Sequence, residues 1–215
     1  MKEILPEHKV IVILRNPVKR FVSLYNYLYS KGWIPDKDLA TFLNKCIRCE
    51  KGEKFNLDYY RIAIPDGKYM AFLPEWFNEY ESNFKILYFE DFIANPQVIM
   101  GEVAEWLSID PSPFGQAIYS QENRTVFVRN KALHAVTYPI ISVIKKNKSI
   151  KTFFKKNAGL KASMKNAYYK LNQEDVQKRP IEENTMEMLK EVYRESNEEL
   201  FKYLNQINMK LPKWK

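Results

Sequence analysis

Glycine is scarce in this chain: six occur in 215 residues, and no two lie close together. That excludes a G-x-x-x-x-G-K-[ST] loop, whose clustered backbone N–H groups wrap a phosphate, and with it a P-loop kinase. Cysteine and histidine are scarcer still, at two residues each. His8 and His134 stand apart, so Cys46-Ile-Arg-Cys49 lacks the remaining ligands of a four-coordinate zinc site. No thioredoxin-like strand-loop-helix surrounds the pair, and its spacing suits two partly buried thiols on a helix from Leu39 to Cys49. No apolar run approaches the roughly 18 residues of a membrane-spanning helix. The opening residues MKEILPEHK are too polar for a secretion signal, so the expected compartment is the cytoplasm.

Acidic residues are missing from one long stretch. Between Arg124 and Lys170 there are twelve Lys or Arg and no Asp or Glu, so this tract alone exceeds the formal net charge of +8 and the rest of the chain is net acidic. Such a tract is either a solvated basic face or an electrostatic funnel toward an anionic cofactor, an anionic glycan or a membrane surface. Phe153, Phe154, Tyr168 and Tyr169 interleave with the cations, as in some nucleic-acid surfaces. No zinc finger or RNA-recognition signature accompanies them, so no specific nucleic-acid partner is expected.

Aromatic residues are plentiful, with 14 Tyr and 13 Phe, and nearly half the chain is apolar. A chain of this length holds one domain with a sizeable core. The most informative block is Lys9 to Tyr25, KVIVILRNPVKRFVSLY. Val10 to Leu14 has the length and branched-residue content of a buried parallel strand. Asn16 suits a helix cap and Pro17 the first helical position, where a missing N–H costs nothing. The helix is predicted from Pro17 to about Tyr29, with Phe21, Leu24, Tyr25 and Leu28 facing inward. Arg15 therefore stands at a strand end, beside the positive pole of a helix: a place for an anion, most naturally phosphate.

The order Arg-Asn-Pro, with Ser23 eight residues after Arg15 and Tyr25 two later, resembles the 3′-phosphate motif of sulfotransferases that use 3′-phosphoadenosine 5′-phosphosulfate (PAPS). In that family the matching Arg and Ser hold the nucleotide's 3′-phosphate, which places the role on Arg15 and Ser23. Gly67-Lys-Tyr69 with Leu73, Trp76 and Tyr80 resembles the family's G-x-Y-x-x-x-L-x-x-W helix. FKILYFEDFIANP, Phe84 to Pro96, resembles its next strand and acidic turn. Met186, Leu189, Tyr193, Asn197, Leu200 and Leu204 resemble its closing helix. In the segment NRTVFVRNK, Phe127 and Arg129 match a loop that closes over the nucleotide, although its glycine is absent; Arg129 is the further cofactor candidate.

The resemblance implies an α/β, P-loop-like three-layer fold: a short central parallel sheet flanked by helices, with a helix-rich C-terminal half. The family's Gly-rich 5′-phosphosulfate loop and its usual catalytic base both precede the segment that Lys9 to Tyr25 resembles. Residues 1–215 are accordingly expected to be one sulfotransferase-like domain that is truncated at its N-terminus, with the catalytic residue unassigned. The implied reaction moves a sulfuryl group from PAPS to a hydroxyl or amine of an acceptor such as a glycan, and needs no metal. The alternative is a noncatalytic basic module that binds polyanions or an acidic partner. Residues 31–65 form a polar excursion on the expected substrate side, where Trp33, Lys37 and Arg61 are either acceptor contacts or ordinary loop residues. A second helix is predicted from Gly67 to Tyr80, bent or shifted by Pro74. A strand follows from Phe84 to Phe89, and a helix from Pro96 to Leu107. Glu90, at that strand's end, has the position of a base, but the resemblance makes it structural.

Overall fold

A computed structural model describes residues 8–119, 126–128, 173–175 and 180–214. The chain divides into two compact units. The larger comprises Met1–Tyr25, Asp36–Asn123 and Ile181–Lys215, and the second comprises Asn26–Pro35 and Arg124–Pro180.

The larger unit is built on two parallel strands, β1 (Val10–Leu14) and β2 (Phe84–Tyr88), paired in register from Val10 with Phe84 to Leu14 with Tyr88. Helix α1 (Pro17–Ser30) starts directly after β1, and α2 (Leu39–Glu50) and the single turn α3 (Tyr59–Ile62) follow. The Asp38 carboxylate caps α2 by accepting from the Thr41 N–H at 2.7 Å. Phe42 on α2 lies among Phe21, Tyr25 and Tyr60, with ring centroids 5.4 to 5.6 Å apart, and it is fully buried. Burying such a side chain stabilises the fold by about 1.5–3 kcal/mol.

The expected helix from Gly67 begins later than its sequence suggested. Pro65–Gly67 and Tyr69–Ala71 are 3-10 turns, and α4 spans Leu73–Tyr80 with Pro74 in its first turn. Proline lacks the N–H that an interior position needs, so the helix starts where that absence is harmless. After β2 come α5 (Phe89–Ala94), α6 (Pro96–Leu107) and the short α7 (Ser112–Gln116). The predicted second strand thus ends one residue early, because Phe89 opens α5.

Strands β3 (Val126–Val128) and β4 (Gln173–Asp175), in the second unit, pair antiparallel. The long α8 (Glu183–Gln206) returns to the larger unit and buries Thr185, Leu189, Tyr193, Leu200 and Leu204. Its leading residues Glu182 and Glu183 stand at the positive pole, as read from the sequence.

The sheet lies between two helical layers. One face, carrying Val10, Val12, Leu14, Phe84 and Tyr88, packs with Tyr69, Leu73 of α4 and Leu200 and Leu204 of α8. The other is covered over β2, where Leu87 meets Ile99 and Val103 of α6. Over β1 no helix among the described residues covers that face, and Ile11 is 38% and Ile13 52% exposed. The prediction of a strand buried on both sides is therefore corrected: burial alternates along β1, because α6 reaches only its neighbour.

In the second unit, Gly32 turns the chain at φ +68°, a conformation that a β-carbon disfavours. The Trp33 N–H there bonds the Leu28 carbonyl at 3.0 Å, and Trp33 meets the Tyr27 ring edge-on at 5.6 Å.

Candidate functional site

Arg15 leaves the C-terminal end of β1, and its backbone is fixed from both sides by one side chain. The Tyr69 hydroxyl donates to the Arg15 carbonyl at 2.7 Å and accepts from the Arg15 N–H at 3.3 Å. The guanidinium lies over the Phe89 ring, 4.6 Å from its centroid. Its Nε is buried and has no hydrogen-bond partner, and among the described residues Arg15 makes no ion pair. Burial lowers the guanidinium pKa from its ordinary value, opposed by Glu90 and Tyr69 and assisted by Arg20. A desolvated cation with an unmatched N–H presents an anion with an unsatisfied donor.

Asn16 caps α1 as its sequence position predicted. Its Oδ1 accepts from the Lys19 N–H at 3.2 Å, its carbonyl accepts from the Arg20 N–H at 2.8 Å, and the residue is buried. Unanticipated is what meets this end of the helix. Glu90 Oε1 accepts from the Asn16 backbone N–H at 3.1 Å, although the first turn of α1 itself contains no acid. An internal carboxylate thus answers part of the helix pole, and among the described residues the guanidinium has no carboxylate partner.

The other Glu90 oxygen accepts from the Trp214 indole N–H at 3.1 Å. The Trp214 ring sits among Tyr69, Tyr88 and Phe201, with centroids 6.0 to 6.1 Å away. Residues 207–214 are fastened alongside: Lys210 Nζ pairs with Asp91 at 2.7 Å, and the Tyr88 hydroxyl donates to the Lys210 carbonyl. With both oxygens engaged, Glu90 acts as a structural clamp, in line with the resemblance. No sequence signal marked Trp214, and Tyr69 stood out only as part of a packing pattern.

Ser23 lies seven residues beyond Asn16, hence on the same face of α1 two turns along. It is half-buried, and its hydroxyl makes no hydrogen bond among the described residues. Arg20, on that face between them, donates to the Ala63 carbonyl and approaches Asp66 at 3.9 Å. Arg129 follows β3 and lies outside the described residues, so the structure brings together none of its contacts. The basic tract from Arg124 to Lys170 falls almost wholly outside them as well.

Of the excursion residues, Trp33 and Lys37 are exposed, and Arg61 is an exposed partner of Asp58 at 3.4 Å. The buried centre of that region is Asp36, which accepts from Lys45 Nζ at 2.6 Å and from the Tyr60 hydroxyl at 2.5 Å. Cys46 is fully buried with its thiol pKa pushed far up, chiefly by burial, and Cys49 is half-buried. Among the described residues no cluster of His, Cys, Asp and Glu could hold a metal ion. Among them, too, no helix is long and apolar enough to cross a membrane.

A crystal structure of a sulfotransferase from Alicyclobacillus acidocaldarius resembles the chain at 21% identity with a TM-score of 0.45. The match covers 65% of this chain and 53% of that one, so this chain spans about half that protein's length. No curated protein sequence matches significantly. The family model for the sulfotransferase domain matches residues 2–200, nearly the whole chain including Arg15, Ser23 and Glu90, and the chain belongs to that family.

Proposed function

We propose that the chain forms the nucleotide-gripping portion of a PAPS-dependent sulfotransferase, with Arg15 and Ser23 holding the 3′-phosphate. The observation that carries this reading is the half-buried Arg15 guanidinium, fixed at its backbone and unpaired at its Nε. A planar guanidinium suits a tetrahedral dianion because it offers two parallel donors to two oxygens. The Ser23 hydroxyl supplies one more donor from the same helix face. Arg129 is a further candidate for the nucleotide.

Bound PAPS supplies an activated sulfuryl group for an acceptor hydroxyl or amine, such as that of a carbohydrate. The residues described here bind and orient. Arg15 fixes the 3′-phosphate, and the Tyr69 clamp keeps its backbone from shifting. Glu90 holds the fold and does not serve as the acceptor's base, because both its oxygens already accept hydrogen bonds.

The test is a titration with adenosine 3′,5′-bisphosphate, repeated with Arg15→Ala and Ser23→Ala. The reading predicts saturable binding that Arg15→Ala abolishes and Ser23→Ala weakens several-fold. Equal, salt-sensitive affinity for any polyanion, indifferent to both substitutions, favours a noncatalytic basic module instead.

A further inference from the structure

Arg15 lies over the ring of Phe89, next in sequence to Glu90, and its own C-terminal neighbour, Asn16, is bonded by Glu90, yet Arg15 and Glu90 form no ion pair. The geometry of Glu90 accounts for this. One carboxylate oxygen is held by the Asn16 N–H and the other by the Trp214 indole N–H. The two donors lie 74 and 124 residues from Glu90 in sequence. The indole is itself braced by three aromatic rings and by the Lys210–Asp91 pair four residues before it.

We propose that Trp214 is a positioning residue of the anion site: by holding Glu90 it keeps that carboxylate from pairing with the Arg15 guanidinium. Without the indole donor, the second Glu90 oxygen has lost its partner beside a desolvated cation with an unmatched N–H. Its most favourable move is toward that cation. The site then closes on itself, and an incoming phosphate has to displace a carboxylate. The strap that follows α8, remote in sequence from Arg15 and Glu90, thereby sets whether the site is open. This inference rests on the reading of Arg15 as the 3′-phosphate ligand.

The experiment is a double-mutant cycle on the full chain with Trp214→Phe and Glu90→Gln. Phenylalanine keeps a ring against Tyr69, Tyr88 and Phe201 but has no N–H. Trp214→Phe should weaken adenosine 3′,5′-bisphosphate binding about five- to tenfold, the scale of one competing charge-assisted contact. Adding Glu90→Gln in that background should restore most of the loss, because a neutral amide cannot form an ion pair with arginine and its hydrogen bond competes far less with a phosphate. The gain should exceed what Glu90→Gln gives with Trp214 intact, since simple relief of repulsion predicts equal gains. A merely structural strap predicts no rescue, and that outcome overturns the proposal. A ligand-free arm separates this failure from failure of the nucleotide reading. The Arg15 Nε–H resonance, assigned with Arg15→Lys, should shift in Trp214→Phe and return in the double variant. If the wild-type chain does not bind the bisphosphate, the nucleotide reading fails and the resonance alone decides. An unmoved resonance in Trp214→Phe overturns the role assigned to the indole.

Discussion

The Tyr69 hydroxyl bonds both backbone groups of Arg15, donating to its carbonyl at 2.7 Å and accepting from its N–H at 3.3 Å. One side chain from a 3-10 turn thus fixes the residue that follows β1, where the cation leaves the sheet. Tyr69→Phe removes both bonds and leaves two partly buried backbone groups to find water. The expected cost is about 1–3 kcal/mol in urea unfolding, with a several-fold weaker grip on the bisphosphate. Full retention of both would show that the clamp holds nothing.

Gly67 approaches Tyr193 too closely for any side chain. A β-carbon there would lie 2.8 Å from Cε1 and 3.0 Å from Cζ and Oη of the ring. The ring is fully buried, and its hydroxyl is held by the Ala63 and Ile64 carbonyls at 3.3 Å each, so it has little room to retreat. Gly67→Ala should destabilise the chain by about 1–3 kcal/mol. Combining it with Tyr193→Leu should cost less than the sum of the two single changes. Strict additivity in denaturant midpoints would exclude the steric explanation.

The Asp36 cluster makes the fold sensitive to alkali. Lys45 is raised above its ordinary pKa, first by its hydrogen bond to Asp36, and Tyr60 is pushed up to about 12, first by burial. For both groups the folded state holds its proton more tightly than the unfolded chain does. Their stabilisation is therefore complete below about pH 10 and is lost as pH rises toward 12. Tyr60→Phe should flatten part of that decline, read as urea midpoints from about pH 9 to about pH 12. Asp36→Ala should cost about 3 kcal/mol at neutral pH, because it strands the buried phenol and loosens the lysine.

The two thiols should differ in reactivity. Cys46 is fully buried and its thiol resists ionisation, whereas Cys49 is half-buried one turn along α2. Native chain treated with a thiol reagent should label at Cys49 well before Cys46, and denaturant should equalise them. Equal native rates would contradict the packing of α2.

Local chemistry made much of this architecture legible in the sequence. The apolar run of β1 and the Asn16-Pro17 start of α1 follow from composition, cap and breaker, and the buried residues of α8 from the family resemblance. Pro74 correctly warned that α4 would start late, but the 3-10 turns before it are set by Tyr193 packing on Gly67, 126 positions away. The same limit hid the clamp on Glu90. Asn16, Glu90 and Trp214 meet only because β1 and β2 are parallel neighbours and the chain returns past α8. Nothing in the local pattern around Trp214 encodes that meeting. The exposure of Ile11 and Ile13 on β1 was equally invisible, since an apolar run does not state how far a covering helix extends. Arg129 was proposed from a loop pattern, and it lies outside the described residues.

Calorimetry with two ligands tests the proposed 3′-phosphate role of Arg15 most directly. Adenosine 3′,5′-bisphosphate and adenosine 5′-monophosphate differ only in the group that Arg15 is assigned to hold. The bisphosphate should bind the wild-type chain at least tenfold more tightly, consistent with one charge-assisted bidentate contact, and Arg15→Ala should erase that preference. Equal affinity for the two nucleotides in the wild-type chain, or a preference that survives Arg15→Ala, would contradict the assignment.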